Sequence, residues 1–244
     1  MSVRALPLAR ALVARGHAVR MVLPPWDYPQ DAGRKMQDAG VEIENIELPT
    51  GVPGLFHINT TRRLIQRALD FQPDVIHCFK PKAYAGLAMW WLWPLKRMDR
   101  VKARLIVDTD DWEGAGGWND VNRYSWMQQK MFAWQEQWGL RHHEGVTVAS
   151  RALQSLVWSL GVKADRAAYV PNGVVNADFG VRNPTRTLSS AESPNPKSET
   201  RFLLYTRFVE FKIERVLEVL RHVVEQRPAA KLVVVGKGFN DEED

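Results

Sequence analysis

The 244-residue sequence is 45% hydrophobic and 25% charged, a globular composition that fits one large or two small domains and excludes a disordered chain. A net charge of +5 and a pI near 9.4 suit anionic partners such as nucleotides or acidic lipids. No Lys/Arg run or basic stripe interleaved with aromatics points to nucleic acid, so none is expected as a partner. Cys78 is the only cysteine, which rules out an internal disulfide and suits the reducing cytoplasm.

Arg4, Arg10 and Arg15 interrupt any apolar core that a signal peptide would need. Leu6, Leu8, Ala9, Leu12 and Val13 instead share one helical face, and a strand over 18–23 follows. Residues 31–39 read as a short helix, and 41–46 alternate as a strand. Thr60 or Thr61 reads as the cap of a helix running to Ala68. Pro73 precedes a short apolar run over 74–79, the pattern of a buried parallel strand with Cys78 as a small core residue. A helix over 83–93 ended by Pro94, a strand over 103–108, a glycine-rich loop over 109–120 and a long helix over 121–140 come next. A strand over 146–149, a helix over 150–160 and a strand over 168–170 complete a first, Rossmann-like domain of residues 1–176.

Pro171, Asn172, Gly173 and Val174 spell a tight turn. Residues 177–200 are polar and rich in proline and serine, the composition of a flexible linker. Residues 201–244 open a second domain. An apolar strand over 202–205 leads through Arg207 and Lys212 to a helix ending at Arg227, then to a strand over 232–235 and the loop Gly236-Lys237-Gly238. Where a strand hands over to a helix in a doubly wound sheet, anionic ligands lie. Two cations there suit a diphosphate, although the spacing alone favours solvated loop charges.

With these residues in view, the sequence resembles the retaining glycosyltransferases of family 4, which have the two-domain GT-B fold. That family's second domain opens with a strand, Gly-Arg, four residues and Lys-Gly, then a helix and a strand ending in Val-Gly-x-Gly. This chain has Thr206-Arg207, four residues, Lys212-Ile213, and Val235-Gly236-Lys237-Gly238. Arg and Lys match in type and spacing, whereas Thr206 and Ile213 replace the flanking glycines. In the family, a Pro-Asn-Gly-Val turn stands just before the interdomain hinge. The resemblance implies an α/β chain of two Rossmann-like domains, the first lacking its opening strand and Gly-rich loop, the second only begun. It also implies a Glu-seven-Glu motif beyond residue 244, so the chain is expected to be an inactive fragment of the enzyme.

Two stretches of the first domain carry candidate chemistry. Residues 108–120 concentrate Asp110, Asp111, Trp112 and further carboxylates and glycines at the end of a strand, a ligand position. In the resembling family this point often reads His-Asp, so Asp110 stands in the histidine's place, either binding an acceptor hydroxyl or serving as base. Helix capping by these aspartates is the plainer alternative. His77 ends its strand near Lys80 and Lys82; the resemblance puts a histidine of this strand toward the cleft, and a buried, satisfied histidine is the other reading. Trp90, Trp91 and Trp93 beside Lys96 and Arg97 read as a helix packed on the sheet, with peripheral membrane contact toward a lipid-linked acceptor as the alternative. No Cys/His/carboxylate spacing forms a metal signature, and no cofactor is expected.

The resemblance therefore implies transfer of a sugar, with retention, from a nucleotide-diphosphate sugar to a glycan, lipid or small-molecule acceptor. Arg207, Lys212, Gly236 and Gly238 would lie on the donor side, and His77, Asp110, Asp111 and Trp112 on the acceptor side. Arg207, Lys212 and Asp110 are the candidate catalytic residues. The alternatives are a GT-B-like protein that binds a nucleotide sugar or glycan without turnover and, ranked lower, a sugar-nucleotide epimerase of the same fold.

Overall fold

The structure is a computed structural model that describes residues 4–50, 53–173, 201–205 and 213–235. It divides into two compact units, Met1–Gly180 and Val181–Asp244.

The first unit starts with helix α1 (Ala5–Val13) and strand β1 (Arg20–Leu23). A single 3-10 turn, Pro29–Asp31, precedes β2 (Lys35–Asp38) and β3 (Val41–Asn45). β1 lies parallel to β3 and β2 antiparallel to it, in the order β1-β3-β2. Within the helix expected over 31–39, Lys35–Asp38 is instead a strand. Asp38 pairs with Val41 across a two-residue loop in which Ala39 (φ 47°) and Gly40 (φ 84°) are both left-handed, the geometry that matches strand twist. Lys35, Met36 and Gln37 are all exposed, so this segment has no apolar face to hold a helix down. The apolar face of α1 closes the other side, with Ala9 packed on Val41 and Ile43 and Leu6 and Val13 around them.

The rest of this unit alternates helix and strand: α2 (Pro53–Asp70), β4 (Val75–Phe79), α3 (Ala83–Arg97), β5 (Arg104–Thr109), α4 (Trp118–Val121), α5 (Trp126–His142), β6 (Gly145–Val148), α6 (Arg151–Ser159) and β7 (Ala167–Tyr169). β4 to β7 form one parallel sheet in chain order. The parallel strands expected in a single sheet therefore fall in two, and within each sheet β1 and β4 are edge strands.

Three boundaries move. Thr60 and Thr61 lie inside α2, where their hydroxyls donate to the carbonyls of Phe56 and His57 instead of capping. Pro94 sits within α3, whose last turn continues to Arg97. The expected long helix is broken before Ser125, which opens α5 with a capping box: its hydroxyl accepts from Gln128 N, and the Gln128 side chain accepts from Ser125 N.

One face of the β4–β7 sheet is apolar. Cys78, Leu105, Val107, Val146 and Val148 meet Met89 and Leu92 of α3, Leu140 of α5, and Leu153 and Val157 of α6. By strand alternation, His77, Asp108 and Thr147 face the other way.

The second unit pairs β8 (Arg201–Tyr205) with β9 (Lys231–Val235) in parallel through α7 (Ile213–Gln226). None of its described residues is buried. The 177–200 linker, Val174, Arg207, Lys212, Gly236 and Gly238 lie outside the described residues.

Candidate functional site

The carboxyl ends of β4 and β5 bring together two loops of opposite charge. The β4–α3 loop carries Lys80 and Lys82. Lys80 (φ 54°) and Ala83 (φ 49°) occupy left-handed backbone that side-chain-bearing residues seldom adopt. The surroundings hold this conformation. Lys80 N donates to Asp108 O at 3.1 Å, and Gln135 of α5 clamps Ala83 from both sides, accepting from its N at 2.8 Å and donating to its O at 3.2 Å.

The loop after β5 supplies the carboxylates. Lys80 Nζ donates to Asp111 Oδ2 at 2.8 Å and lies 3.5 Å from Asp110 Oδ1. Burial opposes the Lys80 ammonium, but the Asp111 hydrogen bond and the charges of Asp110, Asp111 and Glu113 raise its pKa above the usual lysine range. Lys82 Nζ pairs with Glu113 Oε1 at 2.6 Å, donates to the Tyr124 hydroxyl at 3.1 Å, and lies over the rings of Tyr124 and Phe132. Asp110 Oδ1 and Glu113 Oε2 are buried and accept no hydrogen bond. Each is an acceptor directed into the protein with capacity for one more donor.

Glu136 of α5 anchors the start of the same loop. Its Oε1 accepts from Thr109 Oγ1 at 2.8 Å, and its Oε2 from Glu113 N at 2.8 Å. Burial pushes the Glu136 carboxyl up to about 7, against the pull of these two hydrogen bonds.

A second network lies on the opposite face of β5. Arg4, at the foot of α1, grips the fully buried Asp108 with two hydrogen bonds, Nε to Oδ2 at 2.7 Å and an Nη to Oδ1 at 2.5 Å. Its other Nη donates to Val170 O at 2.6 Å and to Asn172 Oδ1 at 3.0 Å, which ties the Pro-Asn-Gly turn to the sheet. Thr147 Oγ1 also donates to Asp108 Oδ1, and His77 Nε2 lies 3.0 Å from that hydroxyl. Burial lowers the His77 pKa, outweighing the attraction of Asp108. His77 sits mid-strand, not at the strand end as the sequence suggested, and its ring is engaged in this network.

Trp112 is held by its own loop. Its indole N donates to Ala115 O at 3.0 Å, and its ring packs against the apolar core. A Cβ on Gly117 would stand 2.0 Å from Trp112 O, and one on Gly114 would stand 2.4 Å from the indole ring. Gly114 and Gly117 are therefore required by the tryptophan. Neither Asp110 nor Asp111 caps a helix; in this loop Asp120 accepts from Gly116 N, and Ser125 caps α5.

Of the sequence-selected residues, Asp110 and Asp111 converge on Lys80, Trp112 lies in the same loop, and His77 belongs to the Arg4–Asp108 network. Arg207, Lys212, Gly236 and Gly238 are not among the described residues. Sequence reasoning passed over Arg4, Asp108, Lys80, Lys82, Glu113, Glu136 and Thr147 as site residues. Lys80 and Lys82 stood next to His77 and could have been matched to the carboxylate-rich loop by charge. Among the described residues no three His, Cys, Asp or Glu side chains are grouped to hold a metal ion.

This arrangement sits where the family resemblance put the acceptor side. A profile of the glycosyl transferase 4-like domain matches residues 1–173, and so covers the whole of this site. The chain belongs to the glycosyl transferase 4-like family. Among solved structures, this glycosyl transferase 4-like chain is similar to sucrose-phosphate synthase from Thermosynechococcus elongatus, with TM-score 0.55, 16% identity, and coverage of 94% of this chain and 55% of that one. It is similar to a protein described as a UDP-N-acetylglucosamine 2-epimerase from Listeria monocytogenes, with TM-score 0.50, 13% identity, and coverage of 96% and 58%. Anabaena HepE in complex with UDP and glucose matches with TM-score 0.46 and 14% identity, over 84% and 50%. The chain spans about half the length of these structures. The α/β fold is of the GT-B kind that the sequence led us to expect, and at these identities the likeness concerns fold alone. No curated protein matches the sequence.

Proposed function

We propose that this chain is part of a retaining glycosyltransferase, with residues 1–176 as its acceptor-side domain and residues 201–244 opening its nucleotide-sugar domain. The observation that carries this reading is the Lys80–Asp110–Asp111 cluster within the family-matched region, at the carboxyl ends of parallel strands.

In this reading the enzyme binds a nucleotide-diphosphate sugar. Arg207 and Lys212 hold its diphosphate and neutralise the charge that develops as the bond from anomeric carbon to phosphate oxygen breaks. An acceptor hydroxyl forms the new bond on the same face of the sugar. The Asp110 carboxylate, whose side chain is 20% exposed, accepts a hydrogen bond from that hydroxyl or receives its proton. Lys80 fixes the positions of Asp110 and Asp111.

The fold is shared with an epimerase, so products must separate the two activities. The test supplies a protein carrying both complete domains with nucleotide-diphosphate sugars, with and without glycan and lipid acceptors. Transfer is expected to yield nucleoside diphosphate only in step with a glycosylated acceptor, and Asp110→Asn is expected to slow it by about 100-fold or more. Epimerised sugar nucleotide formed without an acceptor would overturn the reading.

A further inference from the structure

Six of the ten tryptophans lie on α3 and α5, which are separated in sequence and packed side by side. They form a connected aromatic stripe. Trp90 meets Trp134 edge to face, Trp134 adjoins Trp138, Trp138 meets Trp93 and stacks on His142, and Arg97 lies over the Trp93 ring. Core packing does not account for the stripe, because Met89 and Leu92 fill the core positions of α3 and Phe132 and Leu140 those of α5. Much of it faces solvent instead: Trp126 is 71% exposed, Met127 74%, Trp90 48% and Trp134 47%, with Trp91 and Met131 also exposed. On α5, Trp126, Met127, Lys130, Met131, Trp134, Trp138 and Arg141 fall within one side of the helix by the 3.6-residue period. An apolar surface of this kind marks an interaction site, because isolated exposed apolar residues do not line up across two helices.

The charge on this face selects the partner. α3 and α5 together carry Lys96, Arg97, Lys130 and Arg141, and their single carboxylate, Glu136, is buried beneath the loop after β5. Lys96 is paired with the exposed Glu144, and broad indole rings interleaved with Arg97, Lys130 and Arg141 match the interfacial zone of an anionic bilayer. There indoles seat at the headgroup level and Lys/Arg side chains reach the phosphates. Among the described residues no helix is long and apolar enough to cross a membrane, so the contact is with the surface. We infer that the α3–α5 face docks the chain onto the surface of an anionic lipid bilayer, with Trp90, Trp91, Trp126 and Trp134 entering the interface and Arg97, Lys130 and Arg141 meeting lipid phosphates. This inference goes beyond the glycosyltransferase reading and stands without it.

The test is co-sedimentation of the 244-residue chain with vesicles of phosphatidylglycerol and phosphatidylcholine, against vesicles of phosphatidylcholine alone. Three proteins are compared: wild type, Trp126→Ser/Trp134→Ser and Lys130→Gln/Arg141→Gln, each first checked by circular dichroism and size-exclusion chromatography. Wild type is expected to bind the anionic vesicles and to lose binding at high salt. The tryptophan pair is expected to weaken it about tenfold, and each removed charge about fivefold. Trp126 is so exposed that Trp126→Ser alone provides a variant with an unperturbed core. Failure of the folded wild type to bind anionic vesicles would overturn the inference, as would undiminished binding by both double variants. A concentration-dependent dimer that both variants abolish, without lipid binding, would assign the face to a second copy of the chain and equally overturn it.

Discussion

Arg4 and Asp108, separated by 104 residues in the chain, form a two-point ion pair with distances of 2.7 and 2.5 Å, and both side chains are buried. Arg4 leads into α1, which packs on β3, whereas Asp108 lies on β5. The pair therefore links the two sheets of the first unit. It also reaches Asn172 in the turn that ends the family-matched region. Arg4→Met leaves a buried carboxylate whose remaining donor is Thr147, and is expected to destabilise the fold by about 3–5 kcal/mol. Urea unfolding followed by circular dichroism measures this directly. A loss below about 1 kcal/mol would show that water replaces the guanidinium.

Glu136 makes stability depend on pH. Its carboxyl is raised from 4.5 to about 7 by burial; the charge of Glu113 adds to the shift, while the hydrogen bonds from Glu113 N and Thr109 and the charge of Lys82 oppose it. Between these values the folded chain retains a proton that the unfolded chain has released. The stability tied to this proton is complete below about pH 4.5 and is lost as pH rises to about 7, a change of about 3 kcal/mol. Thermal melts across this range should show that decline. Glu136→Gln should flatten it and cost about 1 kcal/mol at low pH, because an amide offers one acceptor to two donors. An unchanged slope in the variant would assign the effect to another group.

Lys82 and Lys80 are expected to separate stability from function. Lys82→Met strands the buried Glu113 and should cost about 3 kcal/mol. Lys80 is 41% exposed, so Lys80→Met should cost less than about 1 kcal/mol while impairing any activity that uses Asp110 and Asp111. Parallel denaturation curves and turnover assays distinguish the two lysines. Equal stability losses would contradict the assignment.

Gly117→Ala places a methyl group 2.0 Å from the Trp112 carbonyl oxygen, a backbone atom that cannot rotate aside. The loop after β5 must shift, with an expected cost of about 2 kcal/mol. Changed near-ultraviolet dichroism of Trp112, lost in a Trp112→Phe background, would report the movement. An unperturbed spectrum and stability would show that the loop is looser than its contacts suggest.

The strands were legible because short apolar runs bounded by Pro, Gly and Asp leave few alternatives, as at Val75–Phe79 and Lys231–Val235. The segment after Asp31 was not, because β2 is an exposed edge strand with neither helical nor strand periodicity. The useful signal was Ala39-Gly40, a hairpin turn between Asp38 and Val41. For the site, the carboxylates after β5 were legible as a composition. Charge was the one signal for their lysine partners, because a loop about 30 residues upstream meets them only through parallel pairing of β4 and β5. The Arg4–Asp108–Thr147–His77 network draws on four separate elements, and no local pattern encodes it. Exposure of the tryptophan face was equally hidden, since sequence alone does not say which side of α3 the sheet takes.

The proposed glycosyltransferase function requires nucleotide-diphosphate-sugar recognition. Its most direct test is calorimetric titration of a protein carrying both complete domains with uridine, guanosine and adenosine diphosphate sugars, with Arg207→Ala alongside. Saturable binding of one of them is expected, weakened about 100-fold or more by Arg207→Ala, which removes the proposed charge-assisted diphosphate contact. A folded protein that binds none of them, or an Arg207→Ala variant that binds as well as wild type, would contradict it.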